Sequence, residues 1–222
     1  MTDLPMLFSA PMILALLAGR KTQTRRVLKP QPQTFITDQG TPCDVGVIHV
    51  EGDRRPRVTT GRVITLQEVP YAVSDRLWTR ETWQLHGRAS DVCTVVYKAS
   101  INESWTEANE QFPDALAGRM QPRPFQAGWA SPIHMPRWAS RLTLTVTAVK
   151  VERLQDISEE DAEAEGCAPV QVPPDGGSAP HVEGYRDLWN SLHGSDAWAA
   201  NPWVAALTFT VEQRNIDFGV AA

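Results

Sequence analysis

"RLTLTVTAVKVERL" spans residues 141–154. Leu, Thr and Val alternate along it, the period of two that sets one face of a strand against a core. A strand of this length is expected to bend or bulge midway. It is the clearest element of the chain, and four further stretches read the same way. They are "RVITL" (62–66), "RLWTRETW" (76–83), "CTVVYKA" (93–99) and "VAALTFTVEQ" (204–213). "MLFSAP" (6–11) reads as a short strand stopped by Pro11.

Short helices lie between these strands. "PMILALLAG" (11–19) has Pro near its start and Gly19 just past its end, and is apolar nearly all round, so it is expected to be buried. "DISEEDAEAEG" (156–166) offers Ser158 as N-cap, Asp161 at the third helical position and Gly166 as terminator. "YRDLWNSLHG" (185–194) is amphipathic, with Tyr185, Leu188, Trp189 and Leu192 on the side expected to be buried. Residues 31–62 and 101–132 are irregular, the first with a hairpin around "GVIHVEGDRRPRV", and 168–184 reads as a Pro/Gly loop. Strands dominate and the helices join strands that are not neighbours in sequence. That pattern is α+β, with a small, partly closed barrel flanked by short helices.

The 222 residues suffice for one domain, 1–222, that buries a core without staples. Insertions are expected at about 31–60, 100–130 and 167–182. No apolar run reaches the ~18–20 residues of a membrane span. Pro5 and Pro11 interrupt the apolar segment 4–17, and no basic region precedes it, so neither an anchor nor a signal peptide is expected. Cys43, Cys93 and Cys167 are odd in number and far apart, which fits neither a disulfide framework nor a zinc site. A cytoplasmic protein with no metal and no cofactor follows. The oligomeric state is not legible.

The net charge of −5 does not advertise nucleic-acid binding, but its distribution is uneven. Residues 4–37 hold five cations (Arg20, Lys21, Arg25, Arg26, Lys29) and no acid; residues 115–151 hold five more, again with no acid. Seven acids crowd into 152–165. Two readings stand open: a solvated surface segregated by chance, or a basic groove for a phosphate or a short strand. In the second reading Arg20, Lys21, Arg25 and Arg26 contact phosphate. Arg80, Glu81 or Trp83 then lines the cleft, and Trp138 stacks a base with Arg137 on phosphate. Against this, "RLWTRETW" also reads as plain barrel wall and "HMPRW" (134–138) as a strand-entry turn.

Several phrases occur together and in order: "LFSAPMILALLAGRKTQTRRVLKP", "SDRLWTRETW", "SPIHMPRWASRLTLTVTAVKVERLQDISEEDAEAEG", "YRDLWNSL" and "NPWVAALTFTV". Together they resemble the ASCH family of the PUA-like superfamily, and more closely a branch found in bacteriophage and prophage genomes. The resemblance covers roughly half of the chain. It implies a PUA-like β-barrel, a cleft beside the first helix, and RNA, single-stranded DNA or a modified nucleoside as ligand. One small bacterial branch removes the acyl group from N4-acetylcytidine. Its Lys and Thr, three residues apart after the first helix, fall on Lys21 and Thr24, and its Glu falls on Glu165. This chain is about twice as long as that branch.

The chemistry places demands on these three residues. A Thr hydroxyl needs a base, and a Lys serves as one only when burial or neighbouring cations loosen its proton. On a regular strand positions i and i+3 face opposite ways, so Lys21 and Thr24 converge only if Lys21 still lies in the turn after Gly19. Three functions remain: a nucleic-acid or nucleoside-binding module, an amidohydrolase of N4-acylated cytidine, and a metal-independent ribonuclease using the RNA's own 2′-hydroxyl.

Overall fold

The computed structural model describes residues 1–33, 45–60, 63–88, 92–100, 109–113, 128–170 and 179–217. In chain order the elements are β1 (Asp3–Leu7), α1 (Ala10–Leu17), β2 (Gln23–Val27), β3 (Val45–Ile48), β4 (Arg57–Thr60) and β5 (Val63–Glu68), then β6 (Arg76–Arg80), β7 (Trp83–Arg88), β8 (Val92–Tyr97) and β9 (Asn109–Pro113). They continue with β10 (Thr143–Arg153), α2 (Glu159–Ala164), α3 (Pro180–His193) and β11 (Trp203–Glu212). The class is α+β. The chain divides into two compact units. The first comprises Met1, Arg20–Asp75 and Val146–Thr210; the second comprises Thr2–Gly19, Arg76–Thr145 and Val211–Ala222.

In the first unit β11 pairs antiparallel with β2, with Thr24 opposite Leu207 and Arg25 opposite Ala206. On its other side β11 neighbours β10. The strands β3, β4 and β5 form a separate antiparallel sheet in sequence order. The β3–β4 pair is the expected hairpin, turning through Gly52 at φ 87°, where a side chain would be strained. A core of Leu154, Ile157, Ala162, Tyr185, Trp189 and Val204 lies under α2 and α3. Each of its two large aromatics contributes about 2–3 kcal/mol by leaving water.

The two helices of this unit are bounded by different means. Ser158 Oγ accepts from Asp161 N at 3.1 Å, the expected N-cap of α2. The helix α3 begins five residues before the sequence pattern indicates, at Pro180. Its first free amides are satisfied from α2: Glu159 accepts from His181 N at 2.7 Å and from Val182 N at 3.1 Å. No local residue signals that cap, which is why 179–184 reads as loop in sequence. Tyr185 and Trp189 are buried as expected, but Leu192 is 54% exposed. His193 instead packs on Trp189, ring centroids 4.4 Å apart.

In the second unit β1 runs parallel to β6, and the first residues of β10 pair antiparallel with β6. The strands β7, β8 and β9 make their own antiparallel sheet. The helix α1 ends as its sequence indicates, with Gly19 at φ 69°. It is not buried all round, since Leu14 is 40% exposed. The first strand lies at 3–7 rather than within 6–11. Trp83 packs edge-on against Trp138, centroids 6.1 Å apart, in a core with Leu85, Val95, Tyr97 and Met135.

The α+β class expected from the sequence is shown, but the small, partly closed barrel is not. The strands fall into one five-stranded and two three-stranded sheets, and among the described residues there is no closed barrel. The expected strand 76–83 is broken for a visible reason. Glu81 is 1% exposed and accepts from Arg141 Nε at 2.9 Å and Nη2 at 3.0 Å, while its amide meets Met135 Sδ at 3.2 Å. The backbone there leaves the β6 ladder, and β7 restarts in a different sheet. Parts of the expected insertions (34–44, 101–108, 114–127, 171–178) and Cys43 lie outside the described residues.

One substitution tests the packing of α3. Alanine normally exceeds glycine in a helix interior by about 1 kcal/mol. At Gly184, however, an added Cβ would lie 2.5 Å from the Ala168 carbonyl oxygen, a backbone atom that cannot swing away. Gly184→Ala is therefore expected to lower stability, by about 1–3 kcal/mol, read as a lower denaturation midpoint in urea. An increase would show that the 168–170 segment does not pack on α3.

Candidate functional site

The stretch "GRKTQTRR" (19–26) enters the first unit as an extended segment that becomes strand only at Gln23. Lys21 and Thr22 precede the ladder, so strand alternation does not fix the direction of Lys21. The segment is pinned on both sides: Thr22 N donates to Ala164 O at 2.8 Å, and Phe209 N donates to Thr22 O at 2.9 Å. Lys21 thus meets the C-terminal end of α2. Its ammonium, 1% exposed, donates to Glu165 Oε2 at 2.6 Å and to the Glu165 carbonyl at 2.8 Å. That carbonyl caps a helix end and has no partner along the helix, so one cation satisfies a carboxylate and an orphan acceptor together.

Arg25, two residues into the strand, occupies the same network. Its Nε and Nη2 donate to Glu152 Oε1 at 3.0 and 2.7 Å. Nη2 also reaches Asp161 Oδ2 at 2.8 Å, and Nη1 reaches Gln23 Oε1 at 2.6 Å and Glu165 Oε1 at 3.2 Å. A guanidinium has five N–H donors; here each has an acceptor. Gln23 Nε2 closes the ring onto Asp161 Oδ1 at 3.0 Å. Lys150, largely exposed, pairs with Glu152 Oε2 at the rim. Three of the acids of 152–165 (Glu152, Asp161 and Glu165) and two of the cations of 20–26 (Lys21 and Arg25) therefore meet in one buried cluster.

This geometry shifts protons in a definite sense. Burial lowers the Lys21 amine below its ordinary value; Glu165 opposes that shift, while the Arg26 charge adds to it. Burial works against the charge of Arg25 as well, but Glu165 and Glu152 prevail and hold its proton more firmly. Arg26, half-buried, is lowered by burial, with Tyr71, Glu165 and Tyr185 opposing. The Cys167 thiol is pushed up to about 11 by burial and by Glu165. Burial and Glu165 also raise the Tyr185 hydroxyl well above its usual range. Burial and Arg26 lower His193.

The expected site residues divide between the two units. Arg20, Lys21, Thr24, Arg25, Arg26 and Glu165 belong to the first. Thr24 is 4% exposed on β2. Arg20 is exposed, with Nη1 3.5 Å from Gly166 O, and lines a cavity of about 380 Å³ together with Glu163, Cys167, Pro169 and His181. Arg80, Glu81, Trp83, Arg137 and Trp138 belong to the second unit, where each has a protein partner. Arg80 lies over the Trp78 ring at 5.3 Å and donates to Ile133 O. Glu81 pairs with Arg141; Trp83 and Trp138 pack on one another. Arg137 is held by Asp217 and Asp3. Arg25 has its whole guanidinium turned to protein acceptors, with a side chain 0% exposed.

Sequence reading did not single out Glu152, Asp161, Gln23 or Tyr185 as parts of this site. The excess of acids at 152–165 was the available signal, but it does not say which acids turn inward. Comparison with family models, with curated proteins and with solved structures finds no match.

The lowered proton affinity of Lys21 makes a prediction about stability. Unfolded, its amine titrates near 10.5. Between its lowered folded value and 10.5 the unfolded chain therefore holds the extra proton. Stability from this group rises with pH across that window and is lost as pH falls through the folded value. Lys21→Met removes the titration. The stability of wild type minus that of Lys21→Met, from urea denaturation at successive alkaline pH values, is expected to increase with pH. A flat difference would mean that the amine titrates as an ordinary lysine.

Proposed function

We propose that this chain is an ASCH-type, PUA-like protein that acts on a modified nucleoside, as an amidohydrolase of N4-acylated cytidine. The observation that carries the reading is the buried Lys21–Glu165 pair, 2.6 Å apart, with the amine's proton loosened by burial. Thr24, the nucleophile implied by the family resemblance, is buried three residues along the same segment. Lys21, Gln23 and Arg25 turn to one set of carboxylates and Thr24 is the intervening residue on β2, so the reading requires Thr24 Oγ1 to come within reach of Lys21 Nζ.

In this reading neutral Lys21 takes the Thr24 hydroxyl proton as Oγ1 attacks the acyl carbonyl carbon. The C–N4 bond breaks, and N4 leaves as the amine of cytidine with the proton from Lys21. Water, giving a proton to the same amine, then attacks the threonyl ester; the acyl C–Oγ1 bond breaks, Thr24 Oγ1 takes the proton back from Lys21, and acetate leaves. Glu165 orients Lys21 and balances its charge while the proton is on it. Binding of an extended nucleic acid along the basic segment is less favoured, because Arg25 is enclosed by Glu152, Asp161 and Glu165. The same enclosure disfavours the ribonuclease reading, which needs that cation on a phosphate.

The test is release of cytidine and acetate from N4-acetylcytidine. Wild type is expected to turn over well above the uncatalysed rate. Lys21→Met, Thr24→Val and Glu165→Gln are each expected to lose most activity, about 10²-fold or more, with double variants losing little further. Thr24→Ser should retain part of the rate and Lys21→Arg none, since a guanidinium keeps its proton near neutral pH. A wild-type protein that binds the nucleoside without releasing cytidine would leave a binding module as its function.

A further inference from the structure

We propose that Arg25 is a positioning residue for this site: its guanidinium fixes Glu165 against Lys21 and, with Glu152 and Asp161, governs how firmly the Lys21 amine holds its proton. The proposal rests on the reading above for its catalytic consequence, but not for its physical content.

The geometry divides the Glu165 carboxylate between two cations. Oε2 accepts from Lys21 Nζ at 2.6 Å and Oε1 from Arg25 Nη1 at 3.2 Å. A carboxylate held at both oxygens by donors from one segment cannot rotate away from either. Arg25 is itself held by β10 through Glu152 and by α2 through Asp161, so its fork transmits the positions of both elements to Glu165. The Arg25 guanidinium bonds three carboxylates, Glu152, Asp161 and Glu165.

The charge around Lys21 comes from every neighbouring element. Glu165 and Cys167 follow α2, and Arg26 lies on β2. Tyr185 of α3 faces Glu165 and Arg25, and Tyr71 and His193 act through Arg26. Glu152 and Lys150 lie on β10, and Asp161 on α2. Removing Arg25 leaves three carboxylates opposed at close range by Lys21 and the exposed Lys150, which makes a protonated Lys21 more favourable. Removing the charge of Glu152 has the opposite sign: the Arg25 charge then weighs more heavily on Glu165 and on Lys21. A role confined to packing predicts neither sign.

The experiment needs no substrate. The chain has four lysines, Lys21, Lys29, Lys98 and Lys150. Their side-chain carbons, labelled with ¹³C, are followed by NMR through a pH titration, and Lys21 is assigned by its loss in Lys21→Arg. Arg25→Gln is expected to raise the Lys21 midpoint by about one pH unit, and Glu152→Gln to lower it by a similar amount. Arg25→Lys, which keeps the charge without the fork, is expected to keep the midpoint close to wild type. If N4-acetylcytidine is hydrolysed, the acid limb of the pH–rate profile follows these midpoints. Arg25→Lys then lowers kcat with KM little changed. Failure of the wild type to hydrolyse the nucleoside removes the function proposed above and leaves the titration as the test of Arg25. Midpoints that do not move in the folded glutamine variants would overturn the proposal. So would loss of folding in both of them with Arg25→Lys matching wild type in midpoint and rate.

Discussion

The Arg25 guanidinium, enclosed by Glu152, Asp161 and Glu165, is the constraint on which the first unit is built. An unpaired charge in a protein interior is costly, and the cost is offset only when every donor finds an acceptor in good geometry. Arg25 meets that condition with acceptors from β10 and α2 and from Gln23 on its own strand. Those elements are therefore fixed relative to β2 by hydrogen-bond lengths, not by hydrophobic contact alone. Loss of one partner from such a cluster typically costs about 3–5 kcal/mol. Hydrophobic burial of Tyr185 and Trp189 stabilises the unit, and the charge cluster ties β2 to β10 and α2.

The second unit uses the same device on a smaller scale. Arg141, 7% exposed, places two of its nitrogens on Glu81 and a third on Ser100 Oγ, and lies 4.1 Å over the Tyr97 ring. There the result is a break between β6 and β7 at Glu81, which transfers the chain from one sheet to another. A buried arginine–carboxylate pair thus sits at a strand boundary that propensity alone leaves continuous.

For function, the consequence is a lysine under two opposing influences. Burial disfavours its proton and Glu165 favours it, while the Arg26 charge adds to the effect of burial. The base in the proposed amide hydrolysis needs that intermediate condition. A lysine free in solvent would remain charged, and one buried without a carboxylate would not be held in place. The proposed site and the scaffold would then share one set of residues.

Much of the local structure was legible because it is written within a few residues. Pro11 and Gly19 bound α1, Ser158 caps α2, and the alternation in 143–153 and 203–212 makes β10 and β11. The hairpin of β3 and β4 was legible for the same reason. The candidate site was legible only as an excess of cations near residue 21 and of acids near residue 160, with Lys21, Thr24 and Glu165 named by resemblance. Tertiary structure alone decided that the two excesses face each other. It brought Lys21 to Glu165 across 144 positions and Arg25 to Glu152 across 127. It also began α3 at Pro180 beside a carboxylate on α2 and ended β6 at Arg80, where Glu81 meets an arginine 60 residues on. Periodicity and capping act over one or two turns of chain, whereas the partner of a buried charge is chosen by whichever opposite charge the packed core carries to within about 3 Å.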